Sequence, residues 1–339
     1  MLALLAFDTS CVQIHATGEP RWIWPTENTA YANGERSDAF VQATESGNPT
    51  SGLFGCVRGG GTRFHEGIDL RSVRRDRSGE AVDKVFAVYP GRVAYINKVA
   101  GNSAYGRYAI IQHSSRSLAF VTLYAHLRRF EPGIAAGSPV SAGQLLGVMG
   151  RTAAGYSIPK SRAHLHFEVG LRLSDQFQNW YDAKRYDTGN QHGVWNGMNL
   201  IGLDPLTVFE FLKSRPSANL KTFIDSRQTA LKIAVHAKGS PDFVRRYPSL
   251  LTGNPDSRRM PYGWEIEFTA CGLPKRWRAL ARTELPSPYV DGRVELLGWD
   301  SRQLDTCRCR QLITDAEGAI VIGPGLRRML EILFGFTPR

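Results

Sequence analysis

Along Ala163-His164-Leu165-His166-Phe167-Glu168-Val169, polar and apolar residues alternate strictly, which is the period of a half-buried β-strand. The alternation sends His164, His166 and Glu168 to one face and Leu165, Phe167 and Val169 to the other. Shorter β-like runs at 85–89, 92–96, 108–113, 118–127 and 144–149 are separated by glycine and proline. Together they predict a mainly antiparallel β sandwich or barrel-like core. Asp204 followed by Pro205 predicts a short helix through about residue 213. Residues 12–52 show no period and read as an extended arm, packed by Trp22 and Trp24 onto the adjoining β domain. Residues 173–198 break the strand pattern with Asn, Asp, Gln and aromatic side chains, and read as a long surface insertion.

Beyond a linker at 214–217 the pattern resumes as a second unit. Runs at 223–236, 264–270, 293–299 and 319–322 look like strands, and 274–282 is a basic segment of no clear type. At 325–334, Leu326, Met329, Leu330 and Leu333 form one apolar face of a terminal helix. The expected organisation is an arm over 1–51, a β domain over 52–215 carrying the 173–198 insertion, and a smaller α+β domain over 216–339.

Length and composition narrow the function classes. A chain of 339 residues has room for two domains, and 42% hydrophobic residues can fill a core. Mean hydropathy is −0.27, and no apolar run approaches the ~20 residues that span a bilayer. The net charge of +11 suits an acidic polymer as partner. That charge is spread, with 23 Lys+Arg against 18 Asp+Glu in 1–215 and 19 against 13 in 216–339. No Arg-rich recognition helix or aromatic stacking motif accompanies it, which argues against nucleic acid.

The cysteines are Cys11, Cys56, Cys271, Cys307 and Cys309, an odd number with no C-x-x-C pair. Buried thiols, a disulfide, and a structural metal site of Cys271, Cys307, Cys309 and His236 all stay open. The apolar start at 1–7 lacks a basic flank and is shorter than the core of a secretion signal. A remnant of such a signal and a buried first strand both describe it. Cys11 follows Asp8-Thr9-Ser10, a poor lipidation signal.

Three short motifs carry chemistry. Two imidazoles two apart on one strand face, His164 and His166, can share a metal ion, although exposed strand histidines give the same pattern. Phe64-His65-Glu66-Gly67-Ile68-Asp69 places a histidine and a carboxylate on a loop or strand, where a turn-capping carboxylate is the plainer reading. In Leu123-Tyr124-Ala125-His126-Leu127, alternation puts Tyr124 and His126 on one face. His113 reads as structural.

Taken in order, His65-x-x-x-Asp69, Tyr-Ala-His126-Leu and His164-Leu-His166-Phe-Glu resemble the lysostaphin-type (LytM-like) zinc metallopeptidases. Val140-Ser-Ala-Gly143-Gln144-Leu145-Leu146-Gly147 agrees with the same family. The resemblance spans about residues 52–212. It implies the family's β groove fold and endopeptidase action on the cross-links or stem peptides of bacterial peptidoglycan. It implies one zinc ion held by His65, Asp69 and His166, with His126 and His164 as the two unliganded catalytic histidines. Glu168 is then placed to buttress the site or to be a solvated acid. The resemblance further implies peptidoglycan as partner and work in the periplasm or outside the cell. The competing expectation is a non-catalytic wall-binding regulator of other hydrolases, as in relatives that lack metal ligands. The 173–198 insertion would lie near one end of the groove, and the basic run at 71–77 is either a contact for anionic wall polymer or a solvated loop. The 216–339 unit matches no family pattern.

Overall fold

The computed structural model describes residues 20–253 and 260–338. The start at 1–7 and Cys11 lie outside them. Strands β1 (Gly55–Arg58) and β2 (Arg63–His65) form a hairpin, and β3 (Ile68–Arg71) comes next across a tight turn. The chain continues through β4 (Lys84–Phe86), β5 (Gly91–Asn97), β6 (Tyr108–Ser114), β7 (Ala119–Ala125), β8 (Arg129–Phe130), β9 (Pro139–Val140) and β10 (Leu145–Val148). These lead to β11 (His164–Arg172), α1 (Phe177–Ala183), β12 (Leu200–Leu203) and α2 (Pro205–Ser214). The main sheet runs β12-β11-β7-β6-β5-β9, with β3 also paired to β11, and a smaller sheet runs β4-β10-β8. Every ladder between these strands is antiparallel.

β11 is the strand on which the rest is assembled. Leu165, Phe167 and Val169 face the hydrophobic core, as alternation requires. On its edges, β7 places Ala125 opposite His166, and β3 places Asp69 opposite the same residue. The turn into β3 passes so close to β11 that a Cβ on Gly67 would meet the Phe167 carbonyl oxygen at 2.3 Å. Only glycine allows that approach. The polar face of β11 is buried as well, with Glu168 only 4% exposed, because loops and Tyr105 cover it.

The arm packs through its tryptophans. Trp22 stacks on Phe120 at 5.1 Å, and Trp24 stacks on Tyr31 at 4.2 Å and meets Phe209 edge-on. Each such aromatic pair adds about 0.5–1.5 kcal/mol beyond area burial.

The C-terminal part consists of α3 (Leu220–Ser226), β13 (Leu231–His236), α4 (Asp242–Arg246), β14 (Gly263–Phe268), β15 (Pro274–Leu280) and β16 (Val294–Trp299). It is completed by α5 (Ser301–Asp305), β17 (Ile313–Ala316), β18 (Ala319–Ile322) and α6 (Pro324–Phe334). Its sheet runs β15-β14-β13-β16. Buried apolar residues of both halves join in one cluster, from Phe40 to Leu333.

Several expectations change here. The run at 223–236 begins as helix, because Asn219 and Thr222 form a reciprocal capping box ahead of the buried Phe223 and Ile224. The basic segment at 274–282 is strand β15, whose Arg276 and Arg278 pair across to Glu267 and Glu265 on β14. The cysteine metal site is excluded, since disulfides join Cys56 to Cys309 and Cys271 to Cys307. His236 hydrogen-bonds Glu295 instead. The 173–198 insertion is more than a surface loop. Phe177, Trp180 and Tyr181 are buried, and Trp180 Nε1 donates to Glu331 of α6 at 3.1 Å. Lys184 pairs with the same Glu331 at 2.6 Å, which ties the insertion to the C-terminal helix. The basic run at 71–77 is largely engaged within the chain, Arg74 with Glu27 and Arg75 with the Lys160 carbonyl.

Candidate active site and metal centre

Three ligand-type atoms converge where β2, β3 and β11 meet. His65, Asp69 and His166 each offer one, all within 4.8 Å of one another, and all three residues are buried. His65 Nδ1 donates to the Leu53 carbonyl at 2.7 Å, which leaves the Nε2 lone pair aimed at His166 Nδ1, 3.0 Å away. His166 Nε2 donates to Glu168 Oε1 at 2.8 Å, and Tyr105 donates its hydroxyl to the same oxygen at 2.6 Å. This carboxylate behind an imidazole is the arrangement that orients metal-bound histidines. Two nitrogens with outward hydrogen bonds and one carboxylate oxygen suit a divalent ion of zinc-like preference, with a fourth position left for water.

The electrostatics agree with a cation-seeking cluster. Burial opposes ionisation of Asp69, but the imidazoles of His164 and His65 and the hydrogen bonds from His166 and His65 hold its carboxyl well below the usual range. Burial also opposes charging of His166, yet Asp69 and Glu168 outweigh it and push the imidazole up to about 10. Arg58, from β1, adds a cation. Its Nη2 lies 2.5 Å from Asp69 Oδ2 and 2.9 Å from His65 Nε2.

His126 and His164 stand beside the cluster with rings 4.8 Å apart. Strict alternation had His126 sharing a face with Tyr124. The strand ends at Ala125, and His126 takes a left-handed φ of 61°. That turn swings its ring to the groove side, while Tyr124 stays in the core against Phe167. His126 Nδ1 donates to the Thr152 carbonyl and His164 Nδ1 to the Arg162 carbonyl, at 2.8 and 2.7 Å. Burial lowers both imidazoles below their ordinary value, that of His126 further, with the His164 and His166 rings beside it acting in the same direction. Both are therefore neutral near pH 7, with Nε2 free to accept a proton.

The cluster opens into a groove of about 1220 Å³. Its walls come from four parts of the chain: Ala43, Thr44 and Glu45 of the arm; Tyr105 and Tyr156; the insertion through Tyr181, His192 and Met198; and Arg310, Arg328, Met329 and Ile332 of the C-terminal part. Sequence reasoning brought together all five histidine and aspartate positions. It missed Tyr105, Arg58 and the C-terminal wall, which carry no motif.

Residues 63–179 match the model of Peptidase family M23. This segment is a peptidase family M23 domain. Solved structures similar to the chain include the catalytic domain of the prophage-encoded M23 protein EnpA from Enterococcus faecalis, 22% identical over 38% of this chain and 79% of that one, with a TM-score of 0.27. A zinc-containing peptidase from Vibrio cholerae is 26% identical over 38% of this chain, with a TM-score of 0.27, and the match spans 35% of that protein's length. The catalytic domain of lysostaphin, an antimicrobial peptidase from Staphylococcus simulans, is 19% identical over 47% of this chain and 87% of that one, with a TM-score of 0.29. No curated protein matches the chain in sequence.

Proposed function

We propose that the M23 domain is a zinc-dependent endopeptidase that hydrolyses peptide cross-links or stem peptides of bacterial peptidoglycan. The observation that carries this reading is the convergence of His65 Nε2, Asp69 Oδ1 and His166 Nδ1 beneath a groove in which two further neutral histidines stand. In this reading His65, Asp69 and His166 hold the ion. When bound, zinc polarises the scissile carbonyl and acidifies water. His126 and His164 have their Nδ1 protons committed to backbone carbonyls, so each presents an Nε2 lone pair to the groove. One accepts the proton of the attacking water. Once protonated, such an imidazole delivers a proton to the leaving amine, and its partner steadies the developing oxyanion. Glu168 and Tyr105 keep the His166 ring fixed.

Two disulfides support work in an oxidising compartment, the periplasm or the exterior, where peptidoglycan lies. In the same reading the unit from about 216 is a separate C-terminal domain that completes the groove. A second reading, a non-catalytic wall-binding regulator, is favoured by Arg58, whose guanidinium stands against two of the candidate ligands.

The test is metal content together with release of new amino termini from purified peptidoglycan, with and without chelator. Chelator-sensitive cleavage is expected with about one zinc per chain. His164→Ala keeps the metal and loses cleavage, whereas His166→Ala loses both. Bound zinc without cleavage in the parent protein supports the regulator. Parent-like cleavage by the His164 variant removes the role assigned to that residue.

A further inference from the structure

The groove is lined by Arg58, Arg63, Arg162, Arg310 and Arg328, of which Arg63 is exposed and has no ion pair among the described residues. Arg58 is neutralised by Asp69 and Arg162 by Glu45. Arg310 and Arg328, both from the C-terminal part, have no ion pair among the described residues. Arg310 Nε is buried without any hydrogen-bond partner among them. A buried donor left unmatched forfeits its hydration with nothing in return, and no polar group of the described chain compensates this one.

Arg310 is held in place. Arg310 adjoins Cys309 directly, and the two disulfides fix Cys307 and Cys309 to Cys271 and Cys56. Its guanidinium lies 4.6 Å from the centre of the Phe64 ring, the residue before His65. A Cβ on Gly325 would meet the Arg310 carbonyl oxygen at 1.7 Å, so glycine is required for the first turn of α6 to close on residue 310. Arg328 follows one turn further along α6 and lines the same groove, near enough for its charge to act on Arg310. α6 starts without a side-chain cap or an acid in its first turn, so its amino-terminal end adds to the positive potential. Burial, and then the charge of Arg328, bring the Arg310 guanidinium down to about 10, while exposed Glu66 pulls the other way. Two cations on one wall of a groove without an ion-paired acid are set to share an anion.

We propose that Arg310 and Arg328 form an anion-binding subsite on the C-terminal wall of the groove, which receives a free carboxylate of the peptide substrate. The proposal rests on the endopeptidase reading and deepens it. It selects a stem peptide, which carries free carboxylates, over an uncharged glycine bridge. A planar guanidinium matches a carboxylate with two parallel hydrogen bonds, which fixes the peptide's direction in the groove as well as its affinity.

The experiment is calorimetric titration of the full, zinc-supplemented protein with a free stem tetrapeptide and with the same peptide carrying its carboxylates as amides. Cleavage of cross-linked peptidoglycan is assayed in parallel. The free acid is expected to bind about tenfold more tightly than the amide, a charge-assisted pair's share. Arg328→Gln and Arg310→Gln each remove that difference and leave the affinity for the amide unchanged. Arg328 is exposed, so its replacement does not test folding. Equal affinity for the two peptides, binding of neither, or variants that weaken both alike overturns the subsite. A carboxylate preference without cleavage overturns the endopeptidase reading and keeps the subsite; cleavage without a preference does the reverse.

Discussion

His113 gives the fold a calculable pH dependence. It is fully buried on β6, with its ring stacked on Phe120 at 4.6 Å. Nδ1 donates to the Pro90 carbonyl at 2.9 Å, and Nε2 faces the Thr122 hydroxyl at 2.7 Å. Neither neighbour is an anion, so burial pushes the imidazole from 6.5 down to about 4. The folded protein therefore resists a proton that the unfolded chain accepts once the pH drops below 6.5. Stability from this residue is fully present above 6.5 and is lost as the pH falls toward 4. At about 1.4 kcal/mol for each tenfold change in proton affinity, the interval corresponds to about 3 kcal/mol. His113→Asn keeps a donor for the Pro90 carbonyl and removes the titration. His126 and His164 shift the same way and His166 the opposite way, so the comparison is between parent and variant. Urea unfolding at steps from about pH 7.5 to about pH 4 should show the parent's advantage over the variant shrinking by about 3 kcal/mol. Parallel curves for the two proteins across that range would refute the argument.

Three further outcomes concern the site and its supports. Glu168→Gln or Tyr105→Phe loosens the His166 ring and should weaken zinc binding by about 10–100-fold in a chelator competition; unchanged affinity removes the buttressing role. Arg58→Gln removes a cation that shares donor atoms with the metal. Repulsion between like charges near 4 Å, reduced by partial solvent screening to about 1.4 kcal/mol, predicts about tenfold tighter zinc binding, and weaker binding would contradict it. Replacing Cys56 and Cys309 together by alanine opens a cross-link between residues 253 apart in sequence. Chain entropy puts its contribution at about 5 kcal/mol in denaturant unfolding, and a loss below about 1 kcal/mol would show the staple to be incidental.

The alternation of 163–169 by itself determined the central strand, its core-facing Leu165, Phe167 and Val169, and the shared face of His164, His166 and Glu168, because a period of two leaves no freedom in the side-chain direction. The three spaced motifs likewise singled out five residues, His65, Asp69, His126, His164 and His166, that the fold brings to one groove. Single-residue backbone turns and long-range partners are not periodic, and only the tertiary structure decided those. The left-handed φ at His126 reverses the face that alternation assigns to it. The cysteines were a count until folding brought Cys56 to Cys309 and Cys271 to Cys307. Arg58 and Tyr105 meet the site from positions remote in sequence, through pairing and burial that no local pattern encodes. The insertion and α6 become walls of one groove only because Trp180 and Lys184 find Glu331, some 150 residues away. Local sequence fixes what each short segment presents, and the packing of distant segments fixes what it is presented to.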